Sequence, residues 1–158
     1  MSTETQTRLT TQVFEIYIKA PADRIWDAIT NPEWNGKYAY RASGTYELRP
    51  GGQYRVQANA QMRSFGLPET IIDGEVLESS PPHKLVQTYR WLFNEESKAE
   101  GFTRVTWEIV PTSAGFCRLT VTHELEGAPM MAEAVRSKFN EQGGGGWNWI
   151  LSDIKWLL

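Results

Sequence analysis

This 158-residue sequence contains few of the side chains that most often serve in catalysis or metal binding. It has one cysteine and two histidines. His123 stands on the inward side of an apolar, alternating segment, where an imidazole can bind a ligand or transfer a proton near neutral pH. The same position suits a core histidine that hydrogen-bonds to the backbone, so both interpretations stay open. His83 follows two prolines and is expected at the surface.

Neither the cysteine nor the carboxylates form a convincing reactive group. Cys117 has no neighbouring base, which predicts a buried structural thiol rather than a nucleophile. A single cysteine cannot form an internal disulfide or a cysteine zinc site, and neither histidine has a second ligand at metal-binding spacing. The close glutamate pairs are expected on solvated strand exteriors and loops. We therefore assign no catalytic residue, metal or cofactor.

The composition describes an ordinary globular chain, with 41% hydrophobic and 22% charged residues. Its net charge of −3 is spread without blocks, which argues against a nucleic-acid partner. No apolar run reaches the roughly 20 residues that a membrane helix needs. Residues 1–11 are polar and lack the pattern of a secretory signal. We expect a cytoplasmic protein with a flexible N-terminal arm at 1–11 and a single domain at 12–158.

The elements that must position these side chains follow from hydrophobic periodicity. The sequence predicts a strand at 13–19, a helix at 21–30 and a further helical turn through Trp34. The period then changes to two, which predicts six antiparallel strands at 43–48, 53–60, 70–78, 84–91, 103–110 and 116–124. Residues 94–101 are expected to form an exposed loop and residues 129–142 an amphipathic helix.

The last segment predicts the helix on which the sheet closes. Trp147, Ile150, Leu151, Ile154 and Leu158 follow the spacing of one helix face, so that face is expected to be buried. The four glycines at 143–146 disfavour a helix interior and predict a hinge or helix entry. A curved antiparallel sheet with one wet face can cover its other face with this helix.

The chain is rich in large aromatic side chains, with seven Trp, six Tyr and six Phe. Several fall on inward strand positions and can line a cavity with a few polar groups between sheet and helix. A solid core built from the same residues is the alternative. The residues predicted to bind a ligand are Tyr54, Tyr89, Trp91, Trp107, Val121, His123, Trp147, Ile150, Leu151 and Ile154.

Two tryptophans lie on the opposite, polar side of the last helix. Trp149 and Trp156 are seven residues apart and share that side among Ser152 and Asp153. Large rings on a polar face favour an interface with a second copy or another partner. The alternatives are that the N-terminal arm covers them, or that the sheet and the 129–142 segment bury them.

The order of elements and several short motifs resemble the START-like (SRPBCC, Bet v 1-like) superfamily. The motifs are residues 20–33 at the first helix, 49–55 at the second turn, 74–78 and 81–86 in the central hairpin, and the closing Trp147 with Ile154 and Lys155. Within the superfamily, the chain resembles the branch named for the activator of heat-shock-protein-90 ATPase. The resemblance implies an α+β, helix-grip fold, with a curved antiparallel sheet of about seven strands (β-α-α-β6-α) wrapped on a long C-terminal helix.

Proteins with different activities share the fold of this superfamily, so the resemblance leaves three functions open. The first is binding of a small apolar or aromatic ligand between sheet and helix, with His123 and Tyr89 holding its polar atoms. The second is a chaperone-associated, stress-response module, beside which Trp149 and Trp156 leave a homodimeric interaction module open. The third is a polyketide cyclase or dehydratase-like enzyme that uses His123 with Tyr89 as an acid–base pair. The sequence alone does not establish whether the chain is an enzyme.

Overall fold

The computed structural model describes residues 10–136 and 146–158, and one curved antiparallel sheet dominates it. The strands follow the order β1-β7-β6-β5-β4-β3-β2 across the sheet. The bounds are β1 Thr11–Ile18, β2 Gly44–Tyr46, β3 Gln53–Gln57, β4 Thr70–Ser80, β5 Lys84–Trp91, β6 Thr103–Pro111 and β7 Cys117–Glu124. The last strand, β7, pairs antiparallel with the first strand, β1.

Within residues 10–136 and 146–158, six helices accompany the sheet, and most of them are short. They are α1 Ala22–Thr30, α2 Pro32–Asn35, α3 Ala60–Ser64, α4 Glu95–Glu100, α5 Pro129–Arg136 and α6 Gly146–Leu157. A 3₁₀ turn, Ser113–Gly115, joins β6 to β7. The predicted α+β architecture, with two early helices, six further strands and a closing helix, is confirmed.

Two short helices were not predicted, and local capping explains both. The loop expected at 94–101 contains α4, because the Asn94 side chain accepts from the Ser97 amide at 2.8 Å while the Ser97 hydroxyl accepts from the Asn94 amide. This reciprocal pair is a capping box, which stabilises a first turn. The strand expected at 53–60 ends at Gln57, because Asn59 caps α3 by accepting from the Met62 amide. In both helices the N-cap, the residue immediately before the first helical position, is an Asn, which is a favoured N-cap residue.

Some predicted boundaries fall partly outside the described residues. The helix expected at 129–142 is present as α5 over Pro129–Arg136, and three of the four glycines lie outside the described part. Gly146 begins α6 with a φ of 53°, a conformation that favours glycine. Residues 1–9 are also outside it, and Thr11 already belongs to β1. The division into an arm at 1–11 and a domain at 12–158 stays a prediction.

The predicted alternation of buried and wet positions is confirmed on the central strands. On β7, Leu119, Val121 and His123 are fully buried, whereas Glu124 is exposed. The inner face of α6 is buried at Trp147, Leu151 and Ile154, and this helix contacts β1 and α5. The closing helix therefore lies against the inner face of the sheet, as its apolar stripe predicts.

We expect Leu151→Ala to lower the free energy of unfolding by about 2–5 kcal/mol, because it leaves a cavity under α6 where the native side chain is fully buried. Urea denaturation followed by circular dichroism measures this change. The control is Ser152→Ala at the neighbouring exposed position, expected within about 0.5 kcal/mol of the parent. Equal stabilities of the two variants would contradict the packing of α6 on the sheet.

Candidate functional site

A cavity of about 460 Å³ lies between α6, the inner face of the sheet and the segment that precedes β2. Its wall takes residues from β2, β3, β4, β5 and β6, and among the described residues none from β1 or β7. The wall is mostly apolar and aromatic, which is typical of small-molecule sites. Arg41 is its one charged side chain within the part of the chain that the structure describes.

Six of the ten residues predicted to bind a ligand come together on this wall. They are Tyr54, Tyr89, Trp91, Trp107, Trp147 and Ile150. The other four, Val121, His123, Leu151 and Ile154, lie in the packed core outside the wall, each almost completely buried. The structure separates the two groups because α6 covers the β1 and β7 side of the sheet directly, whereas the cavity lies toward β2, β3 and β4.

Sequence reasoning missed much of the wall, in the segment before β3, along β4, and in residues that follow β3 and β5. The missed residues include Tyr38, Tyr40, Tyr46, Met62, Ile71, Ile72 and Phe93. The alternation of the 43–48 segment could have identified Tyr46 as an inward-facing residue. The residues of the 38–42 segment belong to no periodic element, so no pattern marks them.

His123 occupies the centre of a hydrogen-bond chain between α6 and the sheet. The Trp147 indole N–H donates to His123 Nδ1 at 3.0 Å, so that nitrogen carries no proton. Nε2 then carries the proton and donates to Thr103 Oγ1 at 2.8 Å. The Thr103 hydroxyl donates in turn to the backbone carbonyl of Tyr89, also at 2.8 Å. The ring therefore joins α6, β7, β6 and β5.

This arrangement makes His123 a structural residue. Both ring nitrogens are occupied, and burial lowers the pKa of His123 to about 3, so the ring is neutral at physiological pH. The core-histidine interpretation was right about burial but named a backbone acceptor, whereas the ring bonds to Thr103 and Trp147. His123 is not placed to hold a ligand's polar atoms or to act as a base in the cavity.

Stacked tyrosines form one wall of the cavity. The rings of Tyr46 and Tyr54 stack with centroids 4.5 Å apart, and Tyr54 and Tyr89 are 6.3 Å apart at an interplanar angle of 20°. The Tyr46 hydroxyl donates to Gln87 Oε1 at 3.0 Å, and the Trp107 indole N–H donates to the same oxygen at 3.2 Å. Gln87, which is not itself part of the wall, thus holds two aromatic rings of the wall through its side-chain oxygen.

The 38–42 segment closes the cavity against α6. The Ala39 amide donates to the Asp153 carboxylate at 2.6 Å, and the Tyr40 ring packs edge-on against Trp149 at 4.7 Å. Ala39 and Arg41 have positive φ values of 49° and 56°, which are unfavourable for residues with a Cβ. Contacts with α6 therefore hold this segment in a conformation that its sequence does not favour.

The two tryptophans predicted at an interface lie in different surroundings. Trp149 is half-buried through its intramolecular contact with Tyr40, an alternative that sequence reasoning did not consider. Trp156 is 87% exposed. Their assignment to an interface stays a prediction.

Among residues 10–136 and 146–158, no group of three or more His, Cys, Asp or Glu side chains is placed to hold a metal ion. Within the same residues, no helix has the length and apolar character needed to span a bilayer. The cavity's chemistry is therefore that of its aromatic rings, its hydroxyl groups and Arg41.

The seven-stranded curved sheet, the closing helix and the cavity between them define the START-like class of proteins. A solved protein from Rhodobacter sphaeroides has a TM-score of 0.66 at 19% identity, over 94% of this chain and 92% of that chain. An HSP90 activator from Plasmodium falciparum has a TM-score of 0.58 at 19% identity, over 90% and 86%. At such identities these likenesses show the fold.

The chain belongs to the family described as Activator of Hsp90 ATPase homolog 1-like protein, whose profile matches residues 19–158. A protein from the dynemicin biosynthetic locus shares the fold, with a TM-score of 0.54 at 22% identity, over 76% of this chain and 39% of that chain. No curated protein sequence matches the chain.

We expect the free energy of unfolding to fall as the pH falls from about 6.5 toward 3, by about 1.4 kcal/mol per pH unit from His123. The unfolded chain binds a proton on this ring in that range, whereas the folded chain does not, because burial holds the pKa at about 3. Urea denaturation between pH 7 and pH 4.5 measures the slope. Other groups contribute too, so the slope is compared with that of a variant.

In that comparison, His123→Gln is expected to be less stable at pH 7 and to show a shallower loss of stability on acidification. The matched control is His83→Gln, which removes the other histidine at an exposed position. Parallel pH profiles for the parent and His123→Gln would contradict the burial of a neutral imidazole.

Proposed function

We propose that the chain binds a small apolar or aromatic molecule in the cavity between the sheet and α6. The observation that supports this proposal most directly is the cavity itself, whose volume of about 460 Å³ is in the range of small-molecule sites. Burial of apolar ligand surface, at about 25 cal/mol per Å² before the cost of association, would drive binding. The cytoplasmic location stays a prediction.

The shape of the wall supports the same function. Trp147 and Ile150 approach from the helix, and Tyr54, Tyr89 and Trp107 from the sheet, so aromatic surface is offered from two sides. The Trp147 ring packs against Trp107 and Tyr89, with centroids 5.3 and 5.9 Å away, so these rings form one continuous aromatic surface. Such a surface favours a flat guest, because stacked and edge-on contacts add to apolar burial. The anchored His123 chain keeps the helix in place while a ligand enters or leaves.

We expect the protein to retain a small-molecule adduct when it is purified gently, and to bind the uncharged fluorescent probe N-phenyl-1-naphthylamine saturably. Native mass spectrometry before and after denaturation detects the adduct, and fluorescence titration measures probe affinity. Ile72→Trp and Ile150→Trp narrow the cavity from opposite walls and should each weaken probe binding by about tenfold or more.

The control for these variants is Val13→Trp, which adds the same ring at an exposed β1 position outside the cavity wall. It should bind the probe like the parent. Melting temperatures of all three variants establish that they fold. Absence of both adduct and saturable probe binding, or equal affinity in the narrowed variants, would refute the ligand-binding function.

A second candidate is a contact with a chaperone of the Hsp90 class. Two observations favour it: the family is named for an Hsp90 ATPase activator, and Trp156 presents a large, exposed aromatic surface on α6. Exposed Trp side chains are typical anchors of protein interfaces. Such a contact would leave the cavity on the other side of the helix free, so the two candidate functions are compatible.

If this second function holds, adding the chain in excess should stimulate the ATPase of an Hsp90 protein. Trp156→Ala should raise the half-maximal concentration by about tenfold or more, the size expected for loss of an aromatic anchor. The control is Phe65→Ala, which removes another exposed aromatic ring at the end of α3. No stimulation by the parent chain, or equal stimulation by Trp156→Ala, would exclude Trp156 as the chaperone contact.

A further inference from the structure

The tyrosines of the chain are concentrated at the cavity. Five of the six, Tyr38, Tyr40, Tyr46, Tyr54 and Tyr89, contribute to its wall, and only Tyr17 lies elsewhere, on β1. Burial raises the pKa of these phenols, that of Tyr89 to about 12. Their hydroxyl groups are therefore neutral, and each can donate and accept hydrogen bonds.

Four of the five hydroxyls have polar partners other than a neighbouring indole. Tyr38 donates to the carbonyl of Ala28 at 3.1 Å, and Tyr46 donates to Gln87 Oε1. The Tyr54 hydroxyl interacts with that of Tyr46, and the Tyr40 oxygen accepts from the backbone of Gly146. These contacts fix the rings, and the bonds that Tyr38 and Tyr46 donate leave those two hydroxyls no proton for a guest.

Tyr89 combines burial with an unused proton, whereas Tyr38 and Tyr46 donate within the protein and Tyr40, whose oxygen only accepts, is 45% exposed. The Tyr89 oxygen accepts from the Trp91 indole N–H at 3.3 Å, but its own proton has no acceptor among the residues that the structure describes. The side chain is only 7% exposed, and a buried donor without an acceptor is unfavourable. The Tyr89 hydroxyl is thus a fixed, unsatisfied donor in an apolar wall.

A second unsatisfied donor lies two residues away on the same face of β5. Gln87 is almost completely buried, and its Nε2 has no hydrogen-bond partner within the described residues. The amide cannot be reversed to relieve this, because the Trp107 N–H is a donor only and requires the oxygen on its side. Gln87 is not part of the cavity wall, so Tyr89 is the unsatisfied donor that a guest in the cavity can meet.

We propose that the occupant is an uncharged aromatic carbonyl compound whose oxygen accepts a hydrogen bond from the Tyr89 hydroxyl. This inference rests on the ligand-binding function proposed above and names the ligand class. An apolar ring system fits the aromatic wall, and an acceptor oxygen satisfies the Tyr89 hydroxyl. An anionic ligand is disfavoured, because Arg41 is the one cation on the described wall and its side chain is exposed at the 38–42 segment.

Three probes of similar size test the class: naphthalene, 2-acetylnaphthalene and 2-naphthoate. Their affinities for the parent and for Tyr89→Phe are measured by competition with N-phenyl-1-naphthylamine. Phenylalanine retains the ring that packs against Trp147 and His123, so the variant removes the hydroxyl with little change of shape. Tyr89→Phe should weaken 2-acetylnaphthalene by about threefold to tenfold and leave naphthalene within twofold.

Tyr17→Phe is the matched control, because this tyrosine is exposed on β1 and away from the cavity. It should bind all three probes like the parent. In the parent, 2-naphthoate should bind more weakly than 2-acetylnaphthalene. Circular dichroism and melting temperature confirm that both variants are folded.

The outcomes separate this inference from the function on which it rests. If neither N-phenyl-1-naphthylamine nor any of the three probes binds the parent and no adduct is retained, the ligand-binding function fails and the inference fails with it. If N-phenyl-1-naphthylamine binds but 2-acetylnaphthalene does not compete, only the inference is refuted. If naphthalene and the ketone bind but Tyr89→Phe affects both equally or neither, the cavity binds ligands and the role of Tyr89 is refuted. That result would mean that water satisfies the hydroxyl. If 2-naphthoate binds as tightly as the ketone, the restriction to uncharged ligands is refuted.

Discussion

The structure depends on the hydrogen bond from the Trp147 indole to His123, because this contact fixes where the closing helix crosses the sheet. An apolar stripe determines which face of a helix is buried, but it does not determine where the helix lies on a broad apolar surface. A buried donor and acceptor must meet each other or remain unsatisfied, which is costly. Trp147 therefore places α6 above β7, and Thr103 extends the constraint to β5 and β6.

The position of α6 in turn creates the cavity. Because the helix covers β1 and β7, Leu151 and Ile154 complete a solid core there, while Ile150 borders open space. The curved remainder of the sheet, toward β2, β3 and β4, is then not filled by α6. Aromatic rings and the 38–42 segment enclose that space without filling it. Solid core and cavity, the two alternatives that the sequence left open, both occur, on different sides of one helix.

The sequence predicted the elements well because periodicity and turn residues are local signals. Alternation on β5, β6 and β7 identified the inner face, and the stripe on α6 identified its buried side. Sequence periodicity could not distinguish wall residues such as Tyr89 from core residues such as His123, because both occupy inward positions of an alternating strand. That distinction depends on where a helix distant in sequence crosses the sheet. Asn94 and Asn59 did carry local capping signals for α4 and α3, which periodicity alone overlooks.

The 38–42 segment shows the limit of sequence reasoning most clearly, because its conformation opposes its composition. Ala39 and Arg41 adopt positive φ values where glycine would be favoured. The contacts that compensate come from elsewhere in the chain: the Asp153 carboxylate binds the Ala39 amide, Trp149 packs on Tyr40, and Asn59 donates to the Tyr40 carbonyl. A segment with this balance needs α6 in place before it can close the cavity. Closure of the site is therefore a consequence of tertiary packing, because the contacts that hold this segment come from α6 and from Asn59.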